Sequence, residues 1–475
     1  MGRSSDRGAG EGARRDDAAA PSSIEKRQSA TPSEPSRRSS TIEPFSFLHT
    51  GDLHLDTPFS GLSASAPEPI TERLRVATLR VWDRIVDLAL ARNVDFVVVA
   101  GDVFEAETRS LIAQLAFADG LVRLSNGGIP TAVVTGNHDP LSGWEATVDW
   151  PPLARRFDAD AVGSLAIVRD GHEIARVFGI SYGTKAETAD LASRFRRDPE
   201  TPFAVGLLHG TIGIQDRHER YAPTTEEVLV ASRMDYWALG HIHARRIVRR
   251  KAPCVVYPGN PQGRDRGELE PRGVAIVKVE ADAVPHIEFV DVDVVRWVIV
   301  QIETAPIGSM NELRDVIRAE LDKRRDQAGR SIVAAVELTG FTPLHDELRR
   351  AGLATDLVRA IRDLYLPTAE PFVWLESVRD ETRSDTETAY ARGADFIAEL
   401  DGLVEASTAL LAPQGEGSIS AEFGVLDIAP LAGDLFANER VRRAMGSDFA
   451  PDSRVLLEAL SEARTLVLDR LRTAG

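Results

Sequence analysis

The stretch Val-Asp-Phe-Val-Val-Val-Ala-Gly-Asp, residues 94–102, places an unbroken apolar run directly before a glycine and a carboxylate. A half-solvated strand would alternate polar and apolar side chains. A run without alternation reads as a strand covered on both faces, the situation of a sheet with layers packed above and below it. An acid just past such a strand stands where strand ends converge on a ligand crevice.

The neighbouring sequence has the same character. FSFLHT (45–50) is a buried-strand run, and ERLRVATLRVWDRIVDLALAR (72–92) is helical, with Leu74, Leu79, Trp82, Ile85 and Ala89 on one face. Leu111, Leu115, Ala118 and Val122 mark the next expected helix, and PTAVVT (130–135) the next strand. Strands are further expected at 174–182, 203–209 and 236–240, then a hairpin of RIVRR and CVVYP, then GVAIVKV and HIEFVDVDV. Strand–helix alternation of this kind predicts a layered α/β domain over residues 45–295. A second unit, 296–385, reads as a small α/β accessory domain: RWVIVQIE, a helix with Leu313, Val316, Ile317 and Leu321, SIVAAVELTG, a helix over 345–364, and FVWLESVR. Residues 386–475 read as helical.

Composition bounds the class. Of the 475 residues, 43% are hydrophobic and 27% charged, as in ordinary globular domains. No apolar run reaches the roughly 18 residues of a membrane span, so no membrane association is expected. The single cysteine, Cys254, excludes an internal disulfide and fits a cytoplasmic protein. From Gly2 to Thr41 the only large aliphatic residue is Ile24, so residues 1–44 read as a disordered tail, either an extension without a role or a partner-binding segment. The net charge of −17 argues against gripping nucleic acid by bulk attraction, yet leaves room for a local basic groove.

Five short motifs each follow an expected strand: Asp52 and His54, Gly101-Asp102, Gly136-Asn137-His138-Asp139, His209, and His241 with His243. Carboxylate, amide oxygen and imidazole together suit Mn²⁺, iron or Zn²⁺. Two adjacent cations can hold a phosphoryl oxygen, activate water and stabilise a leaving oxygen, so no serine or cysteine nucleophile is needed. The remaining histidines, His49, His172, His218, His286 and His345, read as structural or solvated.

In this order, over residues 46–243, the motifs resemble the calcineurin-like metallophosphoesterase superfamily. The resemblance implies a layered metallophosphoesterase sandwich of mixed sheets flanked by helices, a C-terminal α/β capping domain and terminal helices. It further implies two divalent ions, with Mn²⁺ the expected species. Asp52, His54, Asp102 and His243 would hold one ion, and Asp102, Asn137, His209 and His241 the other. His138 would assist the leaving oxygen, with Asp139 orienting it. Alternation along an extended segment would send His241 and His243 the same way, so their assignment to different ions implies that the backbone leaves strand geometry there.

The superfamily cleaves many phosphoesters, so fold alone does not select the substrate. DLHLDTPF (52–59) and YPGNPQGRDRGELEPRG (257–273) resemble the SbcD-like DNA-repair exonucleases, especially the YhaO-type branch. Basic residues cluster beside the motifs, and Arg245, Arg246, Arg264 and Arg266 are candidate contacts to DNA phosphates; equally, they form a solvated hairpin edge. The branch implies a DNA exonuclease working with an SbcC-like coiled-coil ATPase, and a possible homodimer. The C-terminal helices would dock on that partner or pack on their own domain. A small-nucleotide phosphodiesterase, or a DNA- or ATPase-binding scaffold with an idle metal site, are the alternatives. One departure stands out: some members carry histidine three residues after the bridging aspartate, where this chain has Glu105.

Overall fold

A computed structural model describes residues 42–59, 66–105, 110–143, 149–213, 221–269 and 271–383, with short stretches at 401–402, 404–405 and 461–467. The expected tail, apart from residues 42–44, and nearly all of the expected C-terminal helical region lie outside the described residues.

The chain begins with β1 (Phe45–Thr50), α1 (Glu68–Arg75), α2 (Ala77–Arg92), β2 (Phe96–Ala100), α3 (Leu111–Asn126), β3 (Thr131–Val134) and β4 (Ala154–Arg156). There follow β5 (Gly163–Arg169), β6 (His172–Gly179), β7 (Ala204–His209), α4 (Glu226–Ala231) and β8 (Tyr236–Gly240). Next come β9 (Arg246–Arg249), β10 (Cys254–Tyr257), β11 (Gly273–Val279) and β12 (Pro285–Asp291). The last described elements are β13 (Val295–Glu303), α5 (Met310–Ala328), β14 (Ser331–Phe341), α6 (His345–Leu348), α7 (Leu353–Arg362) and β15 (Val373–Arg383).

Two six-stranded mixed sheets form a sandwich, in the orders β12-β11-β1-β2-β3-β4 and β5-β6-β7-β8-β10-β9. Strands β1 to β4 run parallel, as do β6, β7, β8 and β10. Their carboxyl ends therefore meet at one rim. The inner faces interlock through Phe47, Phe96, Val98, Val205, Leu207 and Tyr236, with Phe47 stacked 4.7 Å from Phe96 and edge-on to Tyr236 at 5.1 Å. The outer face of the first sheet packs on α2 and α3 through Val97, Val99, Trp82, Ile85 and Phe117. Every residue of β2 is buried, as an apolar run without alternation requires. Each large apolar side chain sequestered in this way contributes about 1.5–3 kcal/mol, enough to hold the strand ends rigidly.

A third, all-parallel sheet of β13, β14 and β15 has its own core with α5 and α7 around Ile317, Leu321, Val336 and Ile361. Its other face meets α1 through Leu74, Trp297, Val333 and Phe372.

Two local expectations are corrected, and α3 packs by a face the sequence left open. The helix expected over 72–92 is two helices separated at Val76. The helix expected over 345–364 breaks at Gly352, whose φ of 89° is unsuited to a helix interior. On α3 the buried residues are Ala113, Phe117, Leu121 and Leu124, joined by Ala118, while Leu111, Leu115 and Val122 are exposed. That helix is apolar on two sides, and the larger Phe117, facing Trp82 at 4.9 Å, decides which side packs.

Candidate metal centre

Five strand ends deliver the polar groups to one rim. β1 runs on to Asp52 and His54, β2 to Asp102, β3 to Asn137, His138 and Asp139, β7 ends at His209, and β8 leads to His241 and His243. Four of these residues hold left-handed backbone: Asp52 at φ 51°, His54 at 42°, Asp102 at 51° and His241 at 94°. Such conformations cost on the order of 1–3 kcal/mol each and persist only where surrounding structure imposes them. Here the amides of Asp52 and His54 donate to the carbonyls of Gly101 and Asp102, at 2.9 and 3.0 Å. The left-handed His241 ends the strand geometry of β8, so its ring and that of His243 part company.

Close packing at the rim excludes side chains at two glycines. A Cβ on Gly136 would lie 2.3 Å from Asp102 Oδ1, and one on Gly240 would lie 1.9 Å from the carbonyl oxygen of Ala100. Glycine at these positions lets three strand ends converge.

The converging groups form three clusters with metal-ligand spacing among the described residues, Asp52/His54/His243, Asp102/His209/His241 and, at the mouth, His54/Glu105/His138, each with donor atoms within 4.8 Å of one another. Asp102, a member of the second, also reaches toward the first, its Oδ2 being 3.2 Å from His209 Nε2 and 3.9 Å from His54 Nε2. Asn137 Oδ1 stands 3.0 Å from His209 Nε2. Burial would push the Asp102 carboxyl up, but His209 first, then His54 and His138, hold it well below the usual carboxylate range. Burial raises Asp52, against the opposing pull of His209 and His243.

The ring nitrogens test whether a cation fits. His54 Nδ1 donates to Glu105 Oε1 at 2.7 Å, and His243 Nδ1 donates to Glu268 Oε1 at 2.5 Å. Both Nε2 atoms then carry lone pairs, yet they face each other across 3.3 Å. Between two neutral rings that contact is repulsive, and it becomes favourable once a proton or a metal ion lies between them; the carboxylate support on Nδ1 is the arrangement that makes imidazole a metal ligand. His209 Nδ1 likewise donates to the carbonyl of Ala100 at 2.9 Å. The donor set fits divalent metal.

His138 sits at the mouth, its side chain 36% exposed, and its Nδ1 donates to Glu105 Oε2 at 2.6 Å. That hydrogen bond, against some burial, raises the His138 pKa. Glu105 is driven well below the ordinary range by His138 and His54 despite burial. Asp139 does not orient His138, contrary to the expectation from sequence. Its buried carboxylate accepts from the backbone amides of Gly136 at 2.6 Å, Val103 at 2.8 Å and Asp102 at 3.2 Å, tying the β2 and β3 loops together. Burial and the neighbouring Asp102 push its carboxyl up to about 7.

Sequence reasoning missed Glu105 and Glu268 as working residues. Their signals were position, three residues after Asp102 and within the 257–273 loop, but nothing local said which ring each would reach. Of the four arginines, Arg264 reaches the site, with Nη1 3.4 Å from Glu105 Oε1. Arg266 is engaged by Glu376 at 2.5 Å and Ser377 at 2.6 Å, and Arg245 pairs with Asp291 at 3.4 Å beside Phe289. Arg246 is exposed on β9. Among the other histidines, His49 is buried against the Tyr236 hydroxyl at 3.0 Å and His345 against Thr382 at 2.9 Å, while His218 lies outside the described residues.

A two-sheet sandwich with histidine and carboxylate clusters along one rim defines a metallophosphoesterase. Residues 45–245 match the calcineurin-like phosphoesterase family, and residues 297–383 match the middle domain of the metallophosphoesterase YhaO. The chain is 34% identical over 339 residues to the uncharacterized metallophosphoesterase YhaO of Bacillus subtilis (strain 168), covering 71% of this chain and 82% of that one. It belongs to the calcineurin-like metallophosphoesterases, in the branch that contains YhaO. More distant is the DNA double-strand break repair protein Mre11 of Haloferax volcanii, 29% identical over 50% of each chain. A subunit of the SbcCD nuclease of Bacillus subtilis is 26% identical over 45% of this chain and 61% of its own length. Among the described residues no helix is long and apolar enough to cross a membrane.

Proposed function

We propose that this protein is a metal-dependent DNA exonuclease acting in repair, with two divalent ions, Mn²⁺ foremost, at its centre. The observation that carries the hydrolytic reading is the pair of clusters around Asp52/His54/His243 and Asp102/His209/His241, with His138 held beside them by Glu105. Asp52, His54, Asp102 and His243 would hold one ion, and Asp102, Asn137, His209 and His241 the other. When bound, such ions supply Lewis-acid charge to a phosphoryl oxygen and ease deprotonation of the attacking water.

The chain's own residues do the rest. Glu105 takes His138 Nδ1–H and keeps the ring cationic, so Nε2–H faces the open side of the site. As the P–O bond breaks, the leaving oxygen receives that proton and the imidazole becomes neutral. Arg264, beside Glu105, adds a fixed positive charge toward the scissile phosphate. Glu268 and Arg272 hold the ring and carbonyl of His243, which keeps one wall of the site in place.

DNA is favoured as substrate by the likeness to the Mre11 and SbcCD relatives and by Arg246, which is exposed on β9 and available for phosphates. We read the third sheet as a capping domain over 296–385, and an SbcC-like ATPase as the partner. A small-nucleotide phosphodiesterase is the second reading, supported by the engagement of Arg245 and Arg266 within the protein. The test is hydrolysis of 5′- and 3′-labelled linear DNA by the full chain, with Mn²⁺, with EDTA and after Asp102→Asn. Mn²⁺-dependent shortening from one end, absent in the other two conditions, supports the proposal. Cleavage of a small diester with no action on any DNA supports the second reading instead.

A further inference from the structure

Away from the metal centre, α1 and α2 approach the third sheet around a cleft of about 310 Å³. Four arginines line it: Arg73 from α1, Arg80 and Arg84 from α2, and Arg330 from the junction of α5 and β14. Glu370 is the one carboxylate in the lining, and it is taken by Arg73 at 2.8 Å. Behind the wall, the buried Asp293 is shared between Arg296 at 2.9 Å and Arg330 at 2.5 Å. The cations outnumber the acids that face them.

Arg73 is spent on Glu370 and the carbonyls of Pro367, Thr368 and Ala369, but donors remain unused on the other three. Arg84 spends Nη1 on the carbonyls of Val292 and Asp293, and Arg330 spends Nε and Nη1 on Ala328 and Asp293. The Arg80 side chain makes no hydrogen bond or ion pair among the described residues. Arg80 and Arg84 are one helical turn apart, a like-charge spacing that destabilises a helix when nothing neutralises it. Burial, and then the nearby Arg330, pull the Arg84 pKa below its ordinary value.

We infer that this cleft is a second, metal-independent binding site for phosphate groups, sized for a ligand with at least two of them. Guanidinium forks match phosphate oxygens in pairs, and several forks on one cleft select for phosphate over a single carboxylate. The volume is at the small end for ligand pockets, which run from roughly 300 Å³ upward. The phosphates belong to a free nucleotide or to consecutive positions of a strand. In either case the bound anion bridges α2 to the α5–β14 junction and so fastens the third sheet to the sandwich.

Isothermal titration of the full chain with inorganic pyrophosphate, in EDTA so that metal plays no part, tests this. The expected result is one saturable site, weakened at least about tenfold in the double variant Arg80→Gln/Arg84→Gln and unchanged in Arg264→Gln. Both substituted residues are exposed, so folding is retained, and circular dichroism verifies it. A 12-nucleotide single strand added to the cell distinguishes the sources: competition with pyrophosphate assigns the site to strand phosphates, and its absence assigns it to free nucleotides. No saturable binding of pyrophosphate, or equal affinity in the double variant, overturns the inference. DNA cleavage is not a readout, so the outcome stands apart from that of the proposed nuclease activity.

Discussion

Replacing Glu105 with glutamine separates the roles of Glu105 and Asp139 most sharply. The carboxylate accepts from His138 at 2.6 Å and from His54 at 2.7 Å, two charge-assisted contacts in a largely buried position. Glutamine keeps the size but removes the charge, and it can offer only one carbonyl oxygen to two ring N–H groups. A hydrogen bond to a charged group is worth about 1.5–3 kcal/mol, and about 1.4 kcal/mol corresponds to tenfold in rate. Loss of the His138 contact alone therefore lowers kcat by about tenfold to a hundredfold. Loss of the His54 contact weakens metal binding by a similar factor, as outer-shell substitutions do. The assay measures kcat on a chromogenic phosphodiester at saturating Mn²⁺ across pH, with metal affinity measured separately. The sign of the pH effect follows from His138, whose pKa is raised chiefly by Glu105. The active form is protonated, so activity falls as pH rises through that pKa, and in Glu105→Gln this alkaline limb moves to lower pH. A kcat within a factor of about two of the parent chain, with an unmoved alkaline limb, would refute the role assigned to Glu105.

Three further outcomes are expected. Glu268→Gln removes the acceptor of His243 Nδ1–H, a carboxylate that His243 holds down at about 2 despite burial, and so lowers metal affinity about tenfold to a hundredfold in a metal-buffer titration. Gly240→Ala forces a Cβ to 1.9 Å from the Ala100 carbonyl and destabilises the chain by about 1–3 kcal/mol or more, read as a lowered urea midpoint. His49, held neutral by burial with its pKa lowered to about 3, gives a stability contribution that is fully present above its unfolded value near pH 6.5. Below that value the unfolded chain takes up a proton the folded chain refuses, so the contribution falls by about 1.4 kcal/mol per pH unit, or roughly 2 kcal/mol by pH 5. His49→Gln should start less stable and show a correspondingly shallower loss of its urea midpoint between pH 7 and 5.

The candidate ligands were legible because each motif is local. Asp52, His54, Asp102, Asn137, His209, His241 and His243 each sit within four residues of a strand's last residue, and a buried parallel strand announces itself by an apolar run such as Phe96–Ala100. Even the parting of His241 and His243 could be foreseen, since two neighbours serving different clusters cannot both obey strand alternation. Packing direction was not legible on α3, where Leu111, Leu115 and Val122 have the same periodicity as the side that packs and lose only to the bulk of Phe117 against Trp82.

By itself, then, the sequence determined which strands are buried, which residues end them, and that those residues carry oxygen and nitrogen donors of the kind that can hold metal. Only the tertiary structure decided what holds each donor in place. It set Glu105 rather than Asp139 on His138, Glu268 on His243, and His54 opposite His243 across 189 positions of chain. It also drew Arg245, Arg266 and Arg264 into internal ion pairs, the last of them with Glu105 at the site. The physical reason is range. Strand burial and chain-end position are encoded over a few residues, whereas a hydrogen bond between distant side chains exists only after the sheets have met.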